Sequence, residues 1–371
     1  MFSFAMVVVT VAIALHASAD FRAAVLLLRM QNPQDAGALA RLTAVSLDEE
    51  SITVPTPSGP IRARLYVPKG RPRAPGMVLV HGLHHLGIDE PRLIAFARAM
   101  SSSGIRVVTP ELLSLADYRV NRDSIDLIGY AARALSVSVG KKVGVLGLSF
   151  AGGLALMAAS DARFAPYIGF VVSVGAHDDL ERVSQFLIKN HIQRPDGSVL
   201  TMATHEYGAL ILIYSYVEDF FPPADVPAAR EALRLLLWEK ADESRKRAEQ
   251  LSPESRRKME LLFSGHVEEL AGEIEEAIAQ HRPEMSAVSP HGHLASLQVP
   301  VLLLHGAADN IIPPSELLWL QQEVPANELK SALVTLAMSH VDMKGKPPLM
   351  DTLRLVHFMA QLFELTDSIA E

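Results

Sequence analysis

The sequence predicts an α/β fold, in which helices cover both faces of a mostly parallel central sheet that carries a large helical insertion. Three observations support this prediction. From about residue 50, short apolar runs alternate with segments of helical period. Most of these runs lack polar alternation, which is typical of parallel strands buried on both faces. Between residues 177 and 296 the rhythm gives way to a mostly helical and more charged stretch.

The first part of the core is predicted over residues 50–176. Its strands, in chain order, are SITVPTP, IRARLYVP, GMVLVHG, IRVVTP, KVGVLGL and GFVVSVGA. The turn SGP joins the first two strands. The helices between the later strands are IDEPRLIAFARAMSSSG, DSIDLIGYAARAL and FAGGLALMAAS.

The helical insertion is predicted over residues 177–296 and the second part of the core over residues 297–371. Ser252 followed by Pro253 is typical of a helix start. One apolar stripe of helical spacing comprises Phe263, Val267, Leu270, Ile274 and Ile278. The strand and helix rhythm returns with VPVLLLHGAAD, SELLWLQQ, SALVTLAMSH and PPLMDTLRLVHFMAQLF.

Composition narrows the classes of function. The chain has 371 residues, of which 49% are hydrophobic and 20% charged, as in a globular protein with a sizeable core. The net charge is −8 and the basic residues are scattered, which argues against nucleic acid as a partner. The absence of cysteine excludes disulfides, thiolate nucleophiles and zinc–thiolate sites.

The N-terminal segment, residues 1–30, is hydrophobic. Residues 4–15 form an apolar run of signal-peptide length, short for a membrane span of about 20 residues. ASA at 17–19 is an acceptable signal-peptidase site, although no Lys or Arg precedes the run. We expect a signal peptide or membrane anchor, with export or tethering through residues 1–28. The alternatives are a cytoplasmic protein with a misassigned start, or an apolar helix packed on the domain.

A serine flanked by small residues stands between a predicted strand and a predicted helix, in the stretch VGVLGLSFAGG. This position forces Ser149 to the carboxyl edge of the sheet. The tight turn and the close helix need small neighbours, which Gly147, Ala151 and Gly152 provide. The alternative is an N-cap serine at an ordinary strand–helix junction.

A nucleophilic serine also needs a base and a carboxylate that orients the base. His340 follows the strand-like run ALVTLAM, just before the last helix, and histidine is the usual general base. Asp309 follows VPVLLLHG at another strand end and is the preferred acid. An Asx turn is its alternative role, and Asp178 or Asp179, after GFVVSVG, is the rival acid.

Two backbone amides are candidates for an oxyanion hole. The Phe150 N–H would lie at the helix N-terminus and point at developing negative charge. The loop after VLVHG would supply the second donor, because the backbone can turn inward after His81 and Gly82 and present the Leu83 N–H. We therefore expect His81 and Gly82 to support this loop.

A metal site is an alternative interpretation of His81, His84 and His85, since imidazoles ligate zinc. We disfavour it, because adjacent histidines rarely converge on one ion and a catalytic serine needs no metal. The expected reaction therefore needs no metal and no cofactor.

Together these features resemble the α/β-hydrolase superfamily over residues from about 50 to 371. The order Ser149, Asp309, His340 is that superfamily's order of nucleophile, acid and base. HG after the third strand and LLLHGAAD before the acid also match its motifs. GLSFAGG resembles the elbow of the dienelactone hydrolase and prolyl-oligopeptidase-like branches, and Ala151 in place of glycine is a mild departure.

The resemblance implies an α/β-hydrolase fold in which residues 177–296 form a cap that shapes the substrate pocket. Aromatic residues of this cap could line the pocket or simply pack the cap on the core: Tyr207, Tyr214, Tyr216, Phe220, Phe221 and Trp238. A mainly apolar pocket would suit a small-molecule acyl substrate, such as an uncharged ester, thioester or lactone. The sequence does not indicate an oligomeric state.

Two rival functions stay open at this point. One is an oligopeptidase-type serine peptidase, which would normally bring an N-terminal propeller, and the stretch before residue 50 is too short for one. The other is a catalytically idle fold used for binding or as a membrane-tethered scaffold. The intact order of serine, aspartate and histidine argues against the idle fold.

Overall fold

A central eight-stranded sheet organises the protein in a computed structural model that describes residues 18–31, 37–340 and 347–370. The strands of the chain are β1 Leu47–Val54, β2 Ile61–Pro68, β3 Gly76–Val80, β4 Arg106–Pro110, β5 Val143–Leu148, β6 Ile168–Val174, β7 His191–Gln193, β8 Val199–Thr201, β9 Val301–Gly306 and β10 Leu329–Thr335. The sheet order is β1-β2-β4-β3-β5-β6-β9-β10. β2 runs antiparallel to both of its neighbours, and every other neighbouring pair is parallel. The predicted, mostly parallel sheet is confirmed.

The described residues also form helices, some of which cover the two faces of this sheet. They are α1 Ala19–Gln31, α2 Gly37–Leu42, α3 Pro91–Ser102, α4 Leu113–Ala116, α5 Arg122–Val139, α6 Phe150–Ser160, α7 Leu180–Lys189, α8 Glu206–Ser215, α9 Val217–Phe220, α10 Val226–Leu237, α11 Ala241–Ala248, α12 Pro253–Phe263, α13 Ala271–Gln280, α14 Arg282–Ser286, α15 Ser315–Glu323 and α16 Leu349–Ser368. Apolar residues of α5, α6 and α15 pack on one face, and those of α1, α3 and α16 pack on the other. The central strands β3, β5 and β9 are almost wholly buried, which explains their lack of polar alternation.

The helix α1 packs against the last helix of the chain. Its residues Ala23, Leu26 and Leu27 are buried, and Arg22 Nη1 lies 2.6 Å from Asp367 Oδ2. Residues 19–31 thus form a helix packed on the domain. The run predicted as a signal peptide or anchor falls mainly on residues 1–17, outside the described residues. Among the described residues, no helix is both long enough and apolar enough to cross a membrane.

The segment between β6 and β9 forms a helical layer with its own apolar core. Its buried residues pack together with Tyr118, Phe150 and Ile312. Phe150 follows β5 and Ile312 follows β9, so this layer lies over the carboxyl edge of the sheet. We call it the cap layer. It is mostly helical, as the sequence predicts for residues 177–296.

The cap layer differs from the sequence prediction in two details. The apolar stripe that begins at Phe263 lies on α12, a 3₁₀ turn at Val267–Leu270 and α13, because the chain turns at Gly265 with φ of 76°. A two-stranded hairpin of β7 and β8 was not predicted. Each of its strands has three residues, too short for a periodic pattern to show. Ser252 caps α12 as predicted, since its Oγ accepts the Ser255 N–H at 3.4 Å.

Candidate active site

Ser149 occupies a strained turn between β5 and α6. Its backbone has φ of 56° and ψ of −135°, a conformation that is rare outside glycine. The Ser149 N–H donates to the Val174 carbonyl of β6 at 2.7 Å, and its own carbonyl accepts the Gly152 N–H at 2.9 Å. The Ser149 side chain makes no capping hydrogen bond to α6. Ser149 thus stands at the N-cap position of α6, but its side chain does not cap the helix, and its hydroxyl is left for other contacts.

The residues next to Ser149 are packed too closely for larger side chains. A Cβ atom on Gly147 would lie 2.3 Å from the Ala151 carbonyl oxygen, so α6 passes too close for any side chain there. A Cβ atom on Gly152 would lie 2.6 Å from Ser173 Oγ. Ala151 is fully buried, and its methyl group is accommodated at the position where glycine was expected.

The structure brings the three candidate triad residues together. His340 Nε2 lies 2.8 Å from Ser149 Oγ, and His340 Nδ1 lies 2.5 Å from Asp309 Oδ2. Since a carboxylate only accepts, Nδ1 carries the proton of the imidazole and Nε2 is free to accept the serine proton. This is the geometry that a serine nucleophile requires of its base and of the acid that orients the base.

Asp309 is held as an anion by its surroundings. Its Oδ1 accepts the N–H groups of Ile311 and Ile312, each at 3.0 Å. Burial alone would raise the pKa of Asp309, but the imidazoles of His340 and His305 outweigh burial and hold that pKa well below its usual range. His305 Nε2 lies 3.3 Å from Asp309 Oδ2 and also donates to the Ile312 carbonyl at 2.9 Å. The Asp309 side chain thus forms an Asx turn through Oδ1 and contacts His340 through Oδ2.

The rival acids lie elsewhere. Asp178 Oδ2 accepts from Arg182 Nη2 at 2.8 Å, and Arg182 Nε also pairs with Glu316 at 2.7 Å. Asp179 caps α7 by accepting the N–H groups of Glu181 and Arg182. Asp178 and Asp179 therefore make their contacts with α7, where the chain passes from the core to the cap layer.

Two glycines that were not singled out in the sequence lie against the loop that carries His340. A Cβ atom on Gly306, at the end of β9, would lie 1.5 Å from the Ser339 carbonyl oxygen. Gly175, with φ of 63°, lies directly under the pair, because a Cβ atom there would be 3.6 Å from both Asp309 Oδ2 and His340 Nδ1. The glycine in LLLHG could have indicated that another chain segment approaches Gly306 closely, since it ends a strand just before Asp309.

The loop after β3 lies directly against Ser149. A Cβ atom on Gly82 would be 3.0 Å from Ser149 Cβ, which explains the need for glycine. His81 is buried, its Nε2 accepts the Leu112 N–H at 3.2 Å, and its Nδ1 donates to the Gly82 carbonyl at 2.8 Å. Burial lowers the pKa of His81, so a neutral imidazole ties the loop to the end of β4.

The three histidines of this loop do not form a metal site. His81 uses both ring nitrogens for hydrogen bonds, and His84 stacks on His85 with ring centroids 4.7 Å apart. Among the described residues, one group of three side chains is close enough to hold a metal ion, namely Asp178, His291 and Glu323. No member of that group borders the cavity beside Ser149.

The fold is shared with solved structures of very different sequence. An acylaminoacyl peptidase in complex with Z-Gly-Gly-Phe-chloromethyl ketone superimposes with a TM-score of 0.52 at 13% identity, over 89% of this chain and 43% of that chain. The uncomplexed acylaminoacyl peptidase of Pyrococcus horikoshii gives a TM-score of 0.50 at 12% identity, over 91% of this chain and 44% of that chain. The protein has the α/β-hydrolase fold.

The chain spans less than half the length of those two peptidase chains. No protein-family model matches the sequence, and no curated protein matches it. At such low identity the structural likeness concerns the fold alone.

This α/β-hydrolase fold contains a cavity of about 830 Å³ beside the candidate triad. Ser149 and His340 both border it, as do Leu83 and Phe150, the expected donors of the oxyanion hole. Of the six cap aromatics singled out in the sequence, Tyr207 borders the cavity. Tyr214, Phe220 and Phe221 are instead buried in the apolar core of the cap layer.

Backbone strain is concentrated around this cavity. Among the described residues, four that are not glycine have positive φ: Tyr118, Ser149, Asn190 and Glu239. Asn190 ends α7 in the left-handed conformation, an ordinary role, whereas the other three border the cavity. Strained residues persist where the surrounding structure fixes them and are enriched at functional sites.

Proposed function

We propose that this protein is a serine hydrolase that cleaves a carboxylic ester, thioester or lactone through an acyl-enzyme at Ser149. The observation that supports this best is the hydrogen-bonded chain from Ser149 Oγ to His340 Nε2, at 2.8 Å, and from His340 Nδ1 to Asp309 Oδ2, at 2.5 Å. It joins three residues that are far apart in the sequence and lie after three parallel strands of one sheet.

In the proposed first step, Ser149 Oγ attacks the carbonyl carbon of the substrate while His340 Nε2 takes the serine proton. Asp309 holds the imidazole in the correct tautomer and stabilises the imidazolium that forms. The tetrahedral intermediate then collapses, and His340 passes the proton to the leaving oxygen or sulfur. The acyl group stays bonded to Ser149.

In the second step, water attacks the acyl-enzyme with His340 again as the base. The acid product leaves with the water oxygen, and the proton returns to Ser149. The N–H groups of Leu83 and Phe150 would stabilise the oxyanion in both steps. Phe150 begins α6, where the first amides lack partners within the helix. The steps balance with the substrate and one water, and need no cofactor.

An idle fold is the weaker alternative. A strained backbone at a non-glycine residue costs about 1–3 kcal/mol and is retained where function depends on it. Ser149 combines that strain with a side chain that makes no capping bond and reaches the imidazole. A fold used only for binding has no need of such a residue.

Hydrolysis of p-nitrophenyl butyrate tests the proposal. We expect Ser149→Ala to lower kcat/KM by more than about 10⁴-fold, because the nucleophile is lost. Ser160→Ala, at the other end of the same helix, is the matched control and should retain activity. Wild-type protein that is folded but hydrolyses neither this ester nor its thioester or lactone counterparts would contradict the proposal.

A further inference from the structure

The cavity beside Ser149 has an arm that lies away from the cap layer. This arm is formed between the sheet and the helices α1, α3 and α16. Its walls are apolar side chains that are each between 0% and 8% exposed: Leu27, Phe96, Leu146, Val172, Leu304, Leu355 and Met359. We call this the apolar arm. Its position was not evident in the sequence, because its walls come from six elements spread along the chain.

The apolar arm begins at the nucleophile and follows the strands away from it. Leu146 lies on β5 three residues before Ser149, which places it about 10 Å back along the strand. Val172 is paired with Leu146 on the neighbouring strand β6. The floor of the arm is therefore the face of the sheet itself, next to the turn that carries Ser149.

The other side of the cavity has a different character. Under the cap layer it is bordered by Tyr118, Tyr207, His205 and Glu239, of which His205 and Glu239 are exposed. The Tyr118 hydroxyl donates to the Leu237 carbonyl at 3.1 Å, and the Tyr118 and Tyr207 rings meet edge to face with centroids 5.6 Å apart. This side therefore carries polar groups, two of which are exposed to solvent.

This asymmetry indicates which part of a substrate lies on each side. In the proposed reaction the leaving group departs after the first step and water must then enter. The acyl group meanwhile stays bonded to Ser149. A side with polar, exposed groups suits the departing group and the water, whereas the buried apolar walls of the arm suit the group that remains. Apolar walls also favour an apolar occupant over water.

We propose that the apolar arm binds the acyl chain of the substrate, so that the preferred substrates are esters or thioesters of unbranched medium- to long-chain fatty acids. This inference rests on the proposed function, because it needs an acyl-enzyme at Ser149. It also gives α1 a role in specificity, since Leu27 and Met30 of that helix border the cavity. The cavity volume of about 830 Å³ lies within the range of small-molecule sites.

The chain-length dependence of kcat/KM tests the proposal in the full-length protein, with p-nitrophenyl acetate, butyrate, octanoate and palmitate. Each added methylene that enters the arm should raise kcat/KM about fourfold until the arm is filled. Ala95 borders the cavity beside Phe96, so Ala95→Phe should fill part of the arm and lower the octanoate-to-acetate ratio by more than about tenfold. Leu353→Phe, on α16 at a position that is 52% exposed, is the control and should keep the wild-type ratio.

A second variant and a binding measurement separate this proposal from the proposed function. Met359→Ala enlarges the arm and should move the preferred chain length upward. Ser149→Ala should bind a fluorescent fatty acid that is displaced more strongly by palmitate and octanoate than by butyrate. If the esters are not hydrolysed but this displacement occurs, the proposed function fails and the apolar arm stands. A flat chain-length profile in an active wild-type enzyme, or displacement that does not depend on chain length, would overturn the proposal.

Discussion

At the residue scale, two buried carboxylates follow strands of the same sheet and differ in what surrounds them. Asp309 accepts two backbone N–H groups and contacts two imidazoles, and its pKa is held well below its usual range despite burial. Asp178 shares Arg182 with Glu316, and burial, reinforced by Glu316, raises its pKa to about 7 although Arg182 opposes the shift. Asp309 is therefore ionised throughout the neutral range, as the orienting acid must be.

The two carboxylates should respond differently to the same substitution. We expect Asp309→Asn to lower kcat/KM by about 10⁴-fold, because an amide cannot stabilise the imidazolium that forms during the reaction. Asp178→Asn should change the free energy of unfolding of the protein, because Asp178 pairs with Arg182 at the junction with the cap layer. It should leave kcat/KM within a few-fold of the wild type. Ester hydrolysis and urea denaturation of both variants measure the two effects. The reverse pattern would show that Asp178 is the acid.

His81, in the loop after β3, makes the stability of the protein depend on pH. Burial lowers its pKa in the folded protein, so below pH about 6.5 the unfolded chain binds a proton that the folded chain does not. The stability that the neutral ring contributes is thus present above that pH and is lost as the pH falls through the folded pKa. His81→Gln should reduce the slope of unfolding free energy against pH by up to about 1.4 kcal/mol per pH unit below 6.5. Urea denaturation over that range measures the slope, and an unchanged slope would contradict the assignment.

At the element scale, the site depends on how the loop after β10 crosses the end of β9. A Cβ atom on Gly306 would lie 1.5 Å from the Ser339 carbonyl oxygen, so any side chain there has to displace the backbone next to His340. Displacing a catalytic group by about 1 Å can cost about 10²-fold in rate. The close approach of these two elements therefore sets the position of the loop that carries His340.

Gly306→Ala should lower kcat/KM by at least about 10²-fold while the protein stays folded. The matched control is Gly272→Ala in α13, where nothing lies within 4 Å of the added Cβ atom and alanine is the better helix former. Ester hydrolysis and circular dichroism of both variants distinguish a displaced loop from a loss of fold. Full activity of Gly306→Ala would show that the loop does not constrain His340.

The secondary elements that carry the site were predictable because their signals are local. The buried strand before Ser149, the helix after it and the strands that precede Asp309 and His340 each follow from a run of a few residues, although β10 ends at Thr335 and not directly before His340. The strain at Ser149 and the contact at Gly306 were not predictable, since each depends on an element distant in sequence. The hairpin of β7 and β8 was missed because its strands are too short to carry a pattern.

At the scale of the whole molecule, the two ends of the described chain pack against each other. α1 buries Leu26 fully against the layer that includes α16, and Arg22 pairs with Asp367. The same two helices contribute walls to the apolar arm, so the N-terminal helix contributes both to stability and to the cavity beside Ser149. The sequence indicated an apolar segment here but not its partner, because packing between distant helices leaves no periodic signal.

Leu26→Ala should lower the free energy of unfolding by about 2–5 kcal/mol, the usual cost of a large-to-small change at a fully buried leucine. The control is Leu28→Ala on the same helix, where the side chain is 42% exposed and the expected change is within about 0.5 kcal/mol. Thermal and urea denaturation measure both variants. Equal, small effects would mean that α1 does not pack on the core in solution.

The central claim is that Ser149 is the nucleophile activated by His340, and labelling with a fluorophosphonate probe tests it most directly. We predict that the wild-type protein forms one covalent adduct, that peptide mapping places it on Ser149, and that Ser149→Ala abolishes it. His340→Ala should slow the labelling strongly, because the serine then has no base. No adduct on folded wild-type protein, under conditions in which a control hydrolase reacts, or an adduct that persists in Ser149→Ala, would contradict this account.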